Sequence, residues 1–148
     1  MPADTSSPTP PALDQLREHA EVVRIPGGHE LSEAVGFSRE VAEASLAAGL
    51  PHLPGVATAS EIQQAEALGF GWLKAFPAAD LGPGLIASMH GPFPQARFVA
   101  TGGMNLANTM EFLGAGAAAV SLGSALADPG QFAQLPRLIE AIAGQADR

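Results

Sequence analysis

Short apolar runs alternate with helical segments along most of the chain, from residue 36 onward. Each of three helical segments begins at a side chain that can cap its first turn, and a glycine closes it. Strands that alternate with helices predict parallel pairing, and runs that are apolar on both faces are typical of strands covered on both sides. We therefore predict an α/β fold. The apolar runs occupy residues 50–58, 72–78, 96–101 and 117–126.

The helices are predicted from their caps and from their spacing. A helix is expected at residues 83–90, and another at 131–144, which Pro136 should split or delay at its start. Because the pattern does not separate a closed barrel from an open sheet, both architectures remain open at this point. The three capped helices run from Ser38 to Gly49, from Ser60 to Gly69 and from Asn105 to Gly114.

The first 35 residues do not follow this alternation. Residues 1–12 are rich in proline, serine and threonine, which predicts a disordered tail. Residues 13–35 form an atypical N-terminal segment, in which 13–20 predict a short helix and 21–25 a strand. Residues 36–148 therefore form the regular α/β domain.

Composition narrows the class of protein. A length of 148 residues with 47% hydrophobic and 15% charged residues predicts one folded domain rather than a disordered chain. A net charge of −8 argues against nucleic acid as a partner, since phosphate backbones attract basic faces. There is no cysteine, and the four histidines do not have the spacing of metal ligands, so we expect no metal and no cofactor.

The apolar stretches are too short and too interrupted to predict a membrane span, and the N-terminus lacks the pattern of a secretory signal. We therefore expect a cytoplasmic protein without a membrane partner.

One lysine stands out because the other six fixed positive charges are arginines. Lys74 lies in the apolar run WLKAFP, and Pro77 is expected to end its strand. Apolar surroundings favour the neutral amine, which can attack a carbonyl carbon and form a Schiff base. The alternative is a lysine at the end of a strand that carries its ammonium into solvent.

Glycine-rich turns follow two later runs. In TGGMN, Gly102 and Gly103 follow Thr101 and precede a capped helix, so backbone N–H groups can approach an anion. In LGS, Ser124 offers a hydroxyl after the next run. Together they favour a phosphate site, although each can also be a simple turn. Pro54 and Gly55 break an earlier run, where they form either a turn or the wall of a pocket.

These motifs in this order resemble the second half of the 2-dehydro-3-deoxy-6-phosphogluconate (KDPG) aldolase family, some of whose members act on 4-hydroxy-2-oxoglutarate. The resemblance covers about residues 36–143. It is carried by LPHLPGVATASEI, GFGWLKAFPA, GPFPQARFVATGGMN and AVSLGSAL, which contain the strings K-x-F-P, G-P-F-P and T-G-G-x-N.

The resemblance implies a class I aldolase, a carbon–carbon lyase, on a partial (β/α)8 barrel of about four to five C-terminal βα units. The protein would act as a homo-oligomer on a small 2-oxo acid, phosphorylated or not. Lys74 would form the Schiff base and Phe76 would line the pyruvate pocket. The remaining matched positions are the phosphate-site residues Thr101, Gly102, Gly103 and Ser124, and the Pro54–Gly55 pair of the fifth strand.

The chain also departs from the family pattern. The second-strand motif E-x-T-x-R, which supplies a proton-relaying glutamate and a carboxylate-binding arginine, is absent, so we expect an N-terminally truncated or rearranged member. The fourth strand, which normally ends S-P-G, reads EAVGFSRE here and is expected to be damaged or replaced. Three functions remain open: a Schiff-base aldolase, a non-catalytic remnant that binds phosphorylated or carboxylate ligands, and a phosphate-binding barrel with other chemistry.

Overall fold

The computed structural model describes residues 21–25 and 29–146, so the predicted tail at 1–12 and helix at 13–20 lie outside the described residues. The strands are β1 (Glu21–Ile25), β2 (His29–Glu33), β3 (His52–Leu53), β4 (Gly55–Val56), β5 (Trp72–Ala75), β6 (Arg97–Thr101) and β7 (Ala119–Ser121). The α-helices are α1 (Arg39–Ala47), α2 (Ala59–Ala67), α3 (Ala78–Leu81), α4 (Pro83–Met89), α5 (Leu106–Gly114) and α6 (Pro129–Ala146), and a 3-10 helix spans Ser124–Ala127.

The strands form two sheets that meet at Pro54. One sheet has the order β1-β2-β3 and the other has the order β4-β5-β6-β7. All pairs are parallel except β1 with β2, which is an antiparallel hairpin. The prediction of an α/β fold with parallel strands is confirmed, and the strand predicted at 21–25 is present. Five βα units follow in order from β2 to α6, which makes the architecture a partial (β/α)8 barrel.

The starts of α1 and α2 are set by side-chain caps. As predicted, Ser38 accepts a hydrogen bond from the backbone N–H of Val41 at the start of α1. The predicted cap Ser60 is wrong, because the residue that caps α2 is Thr58, two positions earlier. There the Thr58 hydroxyl accepts from the Glu61 N–H, and the Glu61 carboxylate accepts from the Thr58 N–H. This reciprocal pair satisfies two N–H groups that the helix leaves without partners.

The C-terminal elements differ from the prediction. The helix α6 runs without a break from Pro129, so Pro136 lies inside it and neither splits nor delays it. Its start is set earlier, because the Asp128 side chain accepts from the N–H groups of Gly130 and Gln131. The run at 117–126 is a strand only at Ala119–Ser121.

The core lies between the four-stranded sheet and the helices, where Leu73 and Phe98 from the sheet meet Ile62 and Phe112 from the helices. Trp72, in the apolar run that carries Lys74, is 44% exposed and lies outside this core. Its ring instead lies 5.5 Å from the guanidinium carbon of Arg97, the residue opposite it on β6.

Candidate functional site

The residues singled out in the sequence follow the carboxyl ends of β4, β5, β6 and β7. Gly55 on β4 lies opposite Lys74 on β5, which lies opposite Val99 on β6. On the next pair, Thr101 lies opposite Ser121. Because neighbouring parallel strands end at the same edge, this register brings the candidate residues to one rim of the sheet.

Lys74 is buried at this rim, with 7% of its side chain exposed. Its backbone N–H donates to the carbonyl oxygen of Pro54 at 2.8 Å, which holds β5 against the strand before it. Its Nζ donates to Oε1 of Glu33 at 3.2 Å. A carboxylate therefore lies beside the amine, in addition to its apolar neighbours.

Phe76 lies between Lys74 and the glycine turn. The Nζ of Lys74 is 5.6 Å from the centre of the Phe76 ring, on its face. A Cβ built on Gly102 would lie 2.9 Å from Cε2 of the same ring. Lys74, Phe76 and Gly102 therefore form one contiguous group.

Gly55 has no space for a side chain. A Cβ at this position would overlap the backbone carbonyl of Val35, on the segment that follows β2. Pro54 beside it is fully buried. These two residues therefore allow the end of β2 to approach β5 closely, and so to bring Glu33 to Lys74.

The turn after β6 presents free backbone donors. Gly102 and Gly103 have φ values of 96° and 68°, a conformation that other residues rarely adopt. Their carbonyl groups are engaged, since Gly102 O accepts from the Ala79 N–H and Gly103 O from the Asn108 side-chain amide. Neither of their N–H groups donates to another group in the described part of the chain. Successive N–H groups in such a turn form a concave site for an anion.

The first turn of α5 offers fewer backbone N–H groups to an anion than the sequence suggested. As predicted, Asn105 caps the helix, and its side-chain oxygen accepts from the N–H groups of Ala107 and Asn108. The N–H of Leu106 donates to the side chain of Gln131, on α6. The N–H groups of Gly102 and Gly103 are therefore the better anion donors.

Ser124 is exposed at the start of the 3-10 helix, three residues beyond the end of β7. Its strand pairs with the strand of Thr101, so both residues follow adjacent strand ends. The Thr101 hydroxyl donates weakly to the carbonyl of Val99, at 3.5 Å.

Two histidines, which the sequence left without a role, have structural partners. Nδ1 of His52 lies 2.8 Å from the hydroxyl of Ser32, which also contacts the hydroxyl of Ser45 at 3.1 Å. Burial lowers the pKa of His52 below its ordinary value, and a hydrogen bond with the backbone of Ser32 opposes part of this shift. Nε2 of His90 lies 3.0 Å from the carbonyl oxygen of Gly116.

No cluster of three or more potential metal ligands occurs within residues 21–25 and 29–146. Within the same residues, none of the helices combines the length and the apolar character that crossing a membrane requires.

Glu33 is the residue that the sequence reasoning missed. It ends β2, the strand expected to be damaged, and it contacts Lys74 across 41 residues of sequence. A signal was available, because Glu33 is the first residue of EAVGFSRE, the stretch that replaces S-P-G, and so occupies the carboxyl end of a strand, as Lys74 does. Because β2 pairs with β3, Glu33 comes close enough to Lys74 to contact it.

Known proteins resemble this chain in sequence and in structure. A sequence model described as KDPG and KHG aldolase matches residues 18–137. The 2-dehydro-3-deoxy-phosphogluconate aldolase of Pseudomonas aeruginosa is 38% identical over 109 residues, which is 70% of this chain and 50% of that protein. The chain thus spans about half the length of the curated relatives it matches.

Solved structures show the same similarity. KDPG aldolase from Legionella pneumophila, with pyruvate captured as a covalent carbinolamine, is 35% identical with a TM-score of 0.58, over 61% of this chain and 45% of that chain. A cube-shaped cage designed by fusing symmetric oligomeric domains is 26% identical with a TM-score of 0.70, over 79% of this chain and 47% of that chain. Because the family model matches well over half of this chain, the chain belongs to the KDPG and KHG aldolase family.

Proposed function

We propose that the protein is a class I aldolase that cleaves 2-dehydro-3-deoxy-6-phosphogluconate or a related 4-hydroxy-2-oxo acid to pyruvate and an aldehyde. The observation that carries this proposal is the position of Lys74. Its amine is buried at the carboxyl edge of the sheet, against the face of Phe76, and it is the only lysine of the chain. The Legionella relative captures pyruvate as a covalent carbinolamine, the adduct from which this reaction would release pyruvate in its last step.

The reaction begins when the Lys74 amine attacks the C2 ketone and the carbinolamine loses water. The resulting iminium withdraws electrons from C3. When the C4 hydroxyl loses its proton, the C3–C4 bond breaks, the aldehyde leaves and an enamine of pyruvate remains on Lys74. Protonation at C3 and addition of water then release pyruvate and regenerate the amine.

In this proposal, the glycine turn after β6 binds the anionic end of the substrate. The free N–H groups of Gly102 and Gly103 point to a phosphate or carboxylate ligand, and Ser124 adds a hydroxyl donor. Phe76 contacts both the amine and this turn, so it forms the wall of the pocket between them. Pro54 and Gly55 form the opposite wall, beside the backbone of Lys74.

Reductive trapping tests the proposal. The protein is incubated with pyruvate and borohydride, and the peptide that carries Lys74 is examined by mass spectrometry. We expect the reduced pyruvate adduct on Lys74, and no adduct in Lys74→Arg, which keeps the charge but lacks a primary amine. Since the only other primary amine is the N-terminus, mapping of the peptide separates the two. An unmodified Lys74 contradicts the aldolase proposal.

A second candidate is a function without catalysis, since E-x-T-x-R does not occur in the sequence. The protein would then bind phosphorylated or carboxylate compounds without turnover. This alternative predicts that Lys74 stays unmodified while a phosphate ester still binds. The third candidate, a phosphate-binding barrel with other chemistry, predicts that binding survives in Lys74→Ala.

The unpaired edges of the two sheets give a reason for the predicted homo-oligomer. Within the described residues, the outer edges of β1 and β7 pair with no other strand. Open edges are a liability that proteins usually cover, and a second copy of the chain can do so. Light scattering at several concentrations tests this prediction. The cytoplasmic location stays a prediction from the sequence.

A further inference from the structure

The ion pair between Lys74 and Glu33 has an unusual position for a structural salt bridge. It joins the end of β2 to β5 across the break at Pro54, and its lysine side chain is 7% exposed while the Glu33 side chain is 28% exposed. The carboxylate therefore contacts the buried amine on one side and solvent on the other. In contrast, the pair between Arg39 and Glu43 on α1 is exposed at both ends.

A lysine in an ion pair cannot attack a ketone, because its ammonium group has no free electron pair. The proton must leave Nζ before the carbon–nitrogen bond forms, and the carbinolamine oxygen must later gain a proton to leave as water. Only one carboxylate in the described part of the chain, that of Glu33, lies within salt-bridge distance of Nζ. A proton-transfer group has to lie within hydrogen-bond reach of the proton that it takes, and Glu33 meets this requirement.

We infer that Glu33 is the acid–base residue of Schiff-base formation, an inference that rests on the proposed function of Lys74. Glu33 accepts a proton from the Lys74 ammonium, and the neutral amine then adds to the C2 carbonyl. The carbinolamine nitrogen passes one proton to the oxygen, and protonated Glu33 donates a second. Water leaves as the nitrogen electron pair forms the carbon–nitrogen double bond, and Glu33 is again a carboxylate. The two protons lost by the ammonium are the two protons of the water.

The surroundings of Glu33 support this role rather than one in stability alone. Its partial exposure allows the carboxyl group to exchange protons with solvent between turnovers. Its backbone is held in place, since Glu33 lies opposite Leu53 and the next residue, Ala34, donates its N–H to the Leu53 carbonyl at 3.2 Å. The side chain is thus aimed from a strand and not from a loop, which suits repeated proton transfer at one atom.

The test measures how fast the pyruvate imine forms. The protein is mixed with pyruvate and excess cyanoborohydride, which reduces the imine as it appears, and labelled Lys74 is followed by mass spectrometry. We expect Glu33→Gln, which keeps the shape but cannot carry the proton, to label about 10²–10⁴-fold more slowly. Glu33→Asp should label at an intermediate rate. Glu43→Gln removes an exposed carboxylate from α1 and should label like the wild type.

Chemical rescue separates proton transfer from a structural role. In Glu33→Ala, added formate should restore a large part of the labelling rate, in proportion to its concentration, and circular dichroism should show the folded protein. A wild type that does not label overturns both the aldolase proposal and this inference. A labelled wild type with an equal rate in Glu33→Gln overturns the inference alone, and so does a folded, slow Glu33→Ala that formate does not rescue.

Discussion

Gly102 lies so close to Phe76 that a single methyl group at its Cα would stand 2.9 Å from the ring. The same ring covers the Nζ of Lys74. The turn that precedes α5 and the amine on β5 are therefore coupled through one aromatic side chain. A substitution in the turn should displace this ring and so disturb the surroundings of the amine.

We predict that Gly102→Ala destabilises the protein and also slows pyruvate trapping. The φ of 96° costs an alanine roughly 1–2 kcal/mol, and the displaced Phe76 ring adds to this. Urea denaturation measures the loss of stability. Gly69→Ala is the matched control, because Gly69 has a similar φ of 90° but no atom within contact distance of its Cβ. Equal effects on trapping in the two variants would disprove the coupling through Phe76.

The start of α2 provides a second test. Thr58→Ala should lower the free energy of unfolding by about 1 kcal/mol, because it removes the hydroxyl that accepts from the Glu61 N–H and so caps α2. Ser60→Ala, at the position that the sequence suggested as the cap, should change it by less than about 0.5 kcal/mol, since Ser60 is exposed in the first turn. Thermal denaturation of both variants decides between the two assignments. A larger loss in Ser60→Ala would reverse the assignment of the cap.

Local chemistry explains which parts of this fold the sequence could predict. Asn105 and Ser38 cap their helices through neighbouring N–H groups, and the apolar runs that carry Lys74 and Thr101 form strands in the expected order. The roles of these residues in binding and catalysis remain predictions. What sequence reasoning missed depends on distant neighbours. The contact of Glu33 with Lys74 arises only once β2 pairs with β3, and the sequence of β2 does not identify this partner.

The exposure of Trp72 and the course of α6 show the same limit. Trp72 begins its strand and lies opposite Arg97, so its ring is covered from one side only, and an apolar run does not reveal this. Pro136 lacks the N–H that the interior of a helix requires, so the sequence alone predicts a break there. Asp128 starts α6 before it, and the helix nevertheless continues through the proline. The exposure of Trp72 depends on a partner outside the local window, on a neighbouring strand.

The hydroxyl of Ser124 should matter for anionic ligands. If Ser124 donates to a bound phosphate, Ser124→Ala should weaken the binding of inorganic phosphate about tenfold, since hydrogen bonds to charged groups contribute roughly 1.5–3 kcal/mol. Isothermal titration calorimetry measures the change. Ser88→Ala, at an exposed position on α4, is the control and should bind phosphate like the wild type. Unchanged affinity in Ser124→Ala would remove this residue from the proposed phosphate site.

His52 makes the stability of the protein depend on pH. Because burial lowers the pKa of His52 in the folded state, the unfolded chain takes up a proton first as the pH falls through the ordinary value of 6.5. The neutral, folded form therefore loses stability toward acid, and the loss continues until the pH falls below the lowered pKa. In His52→Asn, whose amide can still bond to Ser32, the melting temperature should fall less between about pH 7.5 and about pH 5.5 than in the wild type. Calorimetry at both pH values measures the two differences, and an equal fall in both proteins would show that His52 does not cause the acid sensitivity.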